Sequence, residues 1–122
     1  MLRGVRGATT VDADEYNEII NRVKELLQDL QQRNGIKPAD IAAIIFSSTP
    51  DLTAAYPAAA ARQLGWDAVP LFGTQEIANP NGVPKCIRVL ILWNTNRDQA
   101  SIRHSYLRGA AVLRPDLSRQ SD

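Results

Sequence analysis

Residues Cys86 to Trp93 read Cys-Ile-Arg-Val-Leu-Ile-Leu-Trp, an apolar run interrupted only by Arg88. As a strand it puts Cys86, Arg88, Leu90 and Leu92 on one face and Ile87, Val89, Ile91 and Trp93 on the other. An arginine with apolar neighbours on both faces cannot be left dry and unpaired. Two readings follow from the residues alone. Arg88 either makes a salt bridge or snorkels outward from an edge, or it donates to an anion or an oxygen atom in a pocket.

The rest of the chain supplies elements for this strand to pack with. Leu2 to Val11 reads as a strand around its centre, with Gly4 and Gly7 permitting close backbone approach. Thr10 or Asp12 is the expected cap of a helix in which Tyr16, Ile19, Ile20, Val23, Leu26, Leu27 and Leu30 form one apolar stripe. Asn34-Gly35 is its expected stop. A turn at Lys37 to Asp40 leads to a buried strand at Ile41 to Phe46. Pro57, the alanine run Ala58 to Ala61 and Gly65 mark a second, short helix. Val69 to Phe72 is expected to be a strand, Asn79 to Pro84 a loop, and Ala110 to Leu113 the last strand, ended by Arg114-Pro115-Asp116. Strands interleaved with two main helices predict an α/β (α+β) domain with a mixed β-sheet.

The chain has 122 residues, enough for one domain and one core. Residues 1–122 are therefore read as a single domain, with 117–122 a polar, loose tail. A net charge of +1 argues against general nucleic-acid binding, which needs a basic excess to meet phosphates. Cys86 is the single cysteine, so neither an intrachain disulfide nor a cysteine metal framework is available, and a reducing, cytoplasmic setting is expected. No signal-like apolar segment opens the chain, and Val89 to Trp93 falls far short of the roughly 20 residues that span a bilayer. No membrane association is expected.

Several chemistries lack their residues. His104 is the single histidine, so a histidine-based metal site would need unusual carboxylate help. Ser47-Ser48 has no nucleophile-elbow motif, and no glycine-rich phosphate loop is present. Cys86 on an apolar strand reads as a small inert hydrophobe. No cofactor or metal is expected. Arg6, between Gly4-Val5 and Gly7-Ala8, and Arg114, where a strand leaves the core, raise the same question as Arg88. Positioning and electrostatics suit this residue set better than covalent catalysis.

Four ordered stretches sharpen the picture. They are Arg3 to Thr10; Ser48 to Leu52 with Tyr56-Pro57-Ala58; Val69-Pro70 with Gln75-Glu76 and Lys85 to Val89; and Ile102 to Leu107 with Val112 to Ser118. Together they resemble chorismate mutase of the small, monofunctional, homotrimeric type, not the all-helical type. The resemblance runs from residue 2 to about 118.

The resemblance implies a pseudo-barrel core in a homotrimer, active sites between subunits, and a Claisen rearrangement of chorismate to prephenate without proton transfer or covalent intermediate. By position, Arg88 matches the arginine that donates to the ether oxygen and contacts a carboxylate. Arg6 matches the one that grips the enolpyruvyl carboxylate. Glu76 matches the acceptor of the ring hydroxyl, and Tyr106 a further polar contact. Tyr56, Ala58, Leu71, Phe72, Leu113 and Arg114 match residues lining the pocket, and Arg62 a residue near the entrance. Gly73, Ala59 and Phe72 depart from a cysteine, a lysine and a smaller polar residue in a relative. The missing lysine is expected to weaken attraction of the dianion more than it alters chemistry. Two alternatives stay open: a non-catalytic metabolite-binding module of the same fold, and an imine-deaminase-like trimeric enzyme.

Overall fold

A computed structural model describes residues 1–114. In chain order the elements are β1 (Leu2–Thr10), α1 (Tyr16–Asn34), β2 (Ile41–Ser48), α2 (Ala58–Gln63), β3 (Leu71–Gln75), β4 (Cys86–Asn94) and β5 (Ser105–Tyr106). Among the described residues the strands form one five-stranded sheet in the order β3-β2-β4-β1-β5. β4 is central and antiparallel to both neighbours, while β3 runs parallel to β2 and β5 parallel to β1. The mixed sheet and two helices are as expected from the sequence. The expected tail, 117–122, lies outside the described residues, as do Pro115 and Asp116.

α1 lays its stripe on one face of this sheet. Ile19, Val23, Leu26, Leu27 and Leu30 are fully buried, together with Ile87 and Ile91 of β4, Val5 of β1 and Ile44 of β2. Burying a large aliphatic side chain contributes about 1.5–3 kcal/mol each, so this layer dominates the favourable terms. Gly7 lets α1 come close. A Cβ there would stand 2.9 Å from Leu30 Cδ1, 3.0 Å from Leu26 Cδ1 and 3.1 Å from the Ser105 carbonyl oxygen.

The other face is different. Register aligns Ala8, Arg88 and Ser47 in one row, and Arg6, Leu90, Ile45 and Phe72 in the next. Leu90 and Leu92 are only half-buried there, and Phe72 is 65% exposed. A small cluster of Ala8, Cys86 and Ala110 covers the end nearest β5, with Tyr106 and Leu113 packed on it.

Three local expectations need correction. The cap of α1 is neither Thr10 nor Asp12 but Glu15, whose carboxylate accepts from Glu18 N at 2.7 Å. The helix starts late because Asp14 is held elsewhere: its carboxylate accepts from Thr53 N, Thr53 Oγ1 and Ala54 N. β3 begins at Leu71, after Pro70, and runs on through Gly73-Thr74-Gln75. Pro70 has no N–H to give, but its carbonyl accepts from Ile44 N at 2.9 Å and starts the pairing.

Finally, Ala110 to Leu113 is not a strand. Arg108–Leu113 forms a 3₁₀ helix, and the strand beside β1 is Ser105–Tyr106 instead. Arg108 takes a φ of 52°, and Gly109 N donates to Thr10 Oγ1 at 3.0 Å. That turn lifts the following residues off the sheet edge. The apolar run was real, but the chain turns at Arg108–Gly109 before it can pair. The stop at Asn34-Gly35 is as expected, with Gly35 at φ 72° donating to Gln31 O.

The tight approach at Gly7 sets a test. Gly7→Val should lower unfolding free energy by about 1–3 kcal/mol, because the new methyls meet packed leucines and a backbone oxygen. Urea denaturation checks it; an unchanged midpoint would contradict the packing described.

Candidate active site

Glu76 follows β3, and its N–H donates to Ser48 O at 2.9 Å, which carries the chain one step past the end of the ladder. Its carboxylate thereby reaches across β2 to Arg88 on β4. Arg88 Nε and Glu76 Oε1 lie 2.6 Å apart. The arginine side chain is 48% exposed and the carboxylate 19%. Arg88 is thus half-exposed, not a buried donor, because period-two alternation places it on the face α1 leaves open. Glu76 Oε1 is sealed from solvent and receives no aligned hydrogen bond, so the contact is an ion pair in geometry. The pair lines a cleft of about 730 Å³ with Asp51, Val83 and Pro84.

Arg6 and Tyr106 come to the same face by register. Arg6 is exposed and pairs with Leu90, one row along from Arg88, while Tyr106 on β5 stands opposite Ala8, the direct partner of Arg88. Asn34, 2% exposed, holds β5 in place. Its Nδ2 donates to Leu30 O and to Arg103 O, and its Oδ1 accepts from Arg103 N at 2.8 Å. The sequence offered Asn34 only as part of a helix stop. An asparagine four residues past the end of the stripe gives no sign of its distant partner.

His104 is a structural residue here. Its Nδ1 accepts from Arg6 N at 2.9 Å, which requires the neutral ring with its proton on Nε2. Burial depresses its pKa, and the charges of Arg6 and Arg114 push it further down. Arg114 is thereby placed in the same electropositive neighbourhood. Cys86 is buried beside Ala8, and desolvation raises its thiol to about 11. A protonated, enclosed thiol is a poor nucleophile, as the sequence suggested.

The remaining pocket candidates lie apart. Tyr56 is 82% exposed and lines a second cleft, of about 790 Å³, with Pro57, Ala59, Gly73 and Thr74. Phe72 is on the edge strand, and Ala58 and Leu71 pack partly buried against the main core. Arg62 lies at the end of α2. One chain therefore gathers Arg6, Glu76, Arg88, Tyr106 and Leu113 on one side. It does not bring Tyr56, Ala58 or Phe72 into the cleft of Arg88. Among the described residues, no group of three or more His, Cys, Asp or Glu is placed to hold a metal ion. No helix among them is long and apolar enough to cross a membrane.

The helix-free face of a small mixed sheet thus carries an arginine–carboxylate pair, with Arg6 one row along from Arg88. Residues 2–117 match the family described as Chorismate mutase type I. The chain is 49% identical over 118 residues to Chorismate mutase AroH of Thermus thermophilus, covering 96% of this chain and 97% of that one. It is 47% identical over 119 residues to Chorismate mutase AroH of Bacillus subtilis (strain 168), covering 97% and 94%. Its structure is similar to that of a chorismate mutase from Clostridium thermocellum, with a TM-score of 0.88 and 44% identity over 89% of this chain and 97% of the other. The chain belongs to the type I chorismate mutase family.

His104 gives a pH test. Its folded pKa is depressed, so the stability it contributes is present above the unfolded value of about 6.5 and is lost as pH falls through the folded one. Asparagine puts an amide oxygen where Nδ1 stands but does not titrate. The difference in urea midpoint between the parent and His104→Asn should therefore shrink on acidification below about pH 6.5. A difference independent of pH would mean that the imidazole is not held neutral.

Proposed function

We propose that this chain is a chorismate mutase that converts chorismate to prephenate, and that it works as a cytoplasmic homotrimer with its sites between subunits. The observation that carries this is the Arg88–Glu76 pair, which presents an oriented guanidinium on the wall of an open cleft. The free, reduced thiol of Cys86 suits a reducing compartment.

The reaction breaks one ether C–O bond and forms one C–C bond within the same molecule. No proton, electron or group leaves, so the protein has two tasks. It must hold the dicarboxylate in its compact conformer and stabilise negative charge growing on the ether oxygen. Arg88 serves the second task. Glu76 contacts its Nε, which orients the fork and leaves the terminal N–H groups to donate to the ether oxygen and a carboxylate. The second oxygen of Glu76, Oε2, accepts from the ring hydroxyl. Arg6 grips the enolpyruvyl carboxylate and Tyr106 adds a polar contact, with Leu113 and Arg114 at the pocket edge.

The separation of Tyr56, Ala58, Leu71 and Phe72 from Arg88 favours assembly. A neighbouring copy seated on the open sheet face would bury Leu90, Ile45 and Phe72 and bring the second cleft against the first. Sedimentation velocity checks the trimer. Incubation with chorismate, followed by loss of its absorbance and by acid conversion of prephenate to phenylpyruvate, checks the activity. No acceleration over buffer would leave a metabolite-binding protein.

Two outcomes follow for this mechanism. Arg88→Lys keeps the charge but loses the planar fork, and should cost roughly 3–4 kcal/mol of transition-state stabilisation. Steady-state kinetics would contradict the role if kcat/KM stayed within about threefold of the parent, a change under 1 kcal/mol. With no obligatory proton transfer, kcat should be nearly flat from about pH 6 to 9. A bell centred near neutrality would favour acid–base chemistry instead.

A further inference from the structure

Lys85, immediately before β4, has a φ of 48°, in the left-handed region that an L residue with a long side chain rarely adopts. All four backbone polar groups of Lys85 and Cys86 are fixed. Lys85 N donates to Asp51 Oδ2 at 2.9 Å, and Cys86 N donates to Thr49 Oγ1 at 3.0 Å. Lys85 O accepts from Val11 N and Cys86 O from Thr49 N, both at 3.0 Å. Thr49 Oγ1 in turn donates to Asp51 Oδ1 at 2.5 Å. One carboxylate thus closes a ring through the hydroxyl and two consecutive amides, at the mouth of the strand that carries Arg88 two residues later.

We propose that Asp51, acting with Thr49 through the backbone of Lys85 and Cys86, is a positioning residue for Arg88. The inference rests on the reading of Arg88 as the donor to the breaking ether bond. Asp51 lines the same cleft as Glu76 and Arg88, yet its carboxylate oxygens are taken up by the Lys85 amide and the Thr49 hydroxyl. The physical reason is leverage. A tilt of about 10° where β4 begins moves a guanidinium at the end of its side chain by about 1 Å, and an error of that size can cost on the order of a hundredfold in rate. Glu76 fixes the guanidinium from one side; the Asp51 ring fixes the Cα from which it hangs.

The test uses the full chain with two readouts, one independent of turnover. The Arg88 Nε–H resonance, assigned by its loss in Arg88→Lys, should move or broaden in Asp51→Ala. In Asp51→Asn, which keeps one acceptor oxygen, it should be less disturbed. An Arg88 resonance unmoved in both variants overturns the proposal whether or not the parent turns over chorismate. In an active parent, Asp51→Ala should lower kcat by about tenfold or more, and Asp51→Asn by less. In an Arg88→Lys background the same change should cost no more than about twofold, because Asp51 acts through the fork already lost. An equal loss in both backgrounds would make Asp51 a structural residue only, and overturn the proposal. Should Asp51→Ala not fold, the same cycle run with Asp51→Asn decides. A parent with no activity but an Arg88 signal that responds to Asp51 defeats the functional reading and leaves the positioning intact.

Discussion

A guanidinium is tolerated in the central strand because only one face of that strand is closed. α1 covers Ile87, Val89, Ile91 and Trp93, and there an arginine would forfeit its hydration without a partner. Strand alternation turns Arg88 the other way, where Glu76 can reach it and water still has access. The rest of the molecule follows from this partition. Helical packing on one face fixes the sheet, and the sheet serves as a rigid mount on which register sets the rows of Arg6, Arg88 and Ser47. A site borne by strands holds its geometry better than one borne by loops, which suits chemistry that depends on position more than on reactive groups.

The sequence showed α1, β2 and the β4 alternation plainly, because each rests on a period of apolar residues that packing then rewards. It was weaker at the ends of elements. Glu15 caps α1 because Asp14 is drawn to Thr53 and Ala54, a partner nearly forty residues away that local patterns do not contain. The 3₁₀ turn at Arg108–Leu113 was hidden for a related reason: Val112 and Leu113 have strand chemistry, but Thr10 captures Gly109 and turns the chain before pairing can begin. At the candidate site, the awkward setting of Arg88 singled it out but left a salt bridge and a pocket donor equally open. Glu76 and Tyr106 had no such setting; a carboxylate after a short strand and a tyrosine near a chain end look like many others, and only the resemblance singled them out.

The proposed pocket residues fall in two places, and that division has a physical sense. In the proposed assembly, a site completed by a second copy would keep its cationic half hydrated until the copies meet, so that Arg6, Arg88 and Arg114 need not be buried together in a lone chain. Bringing an apolar wall such as Tyr56 and Phe72 against them excludes water and strengthens each charge–dipole interaction without new charges. The exposure of Phe72 at 65% is otherwise costly for a side chain on an edge strand.

The buried clasp at Asn34 has a consequence for how the molecule assembles. It joins positions 69 residues apart. Closing a free loop of that span costs about 4 kcal/mol of chain entropy, and the two hydrogen bonds that cross it return only about 1 kcal/mol each. The clasp cannot nucleate folding; it forms once β1 and β4 have already drawn the chain ends together. The wall that bears Tyr106 is therefore expected to close after the frame is built, a latch whose amide protons at Arg103 and Ser105 would report that step by hydrogen exchange.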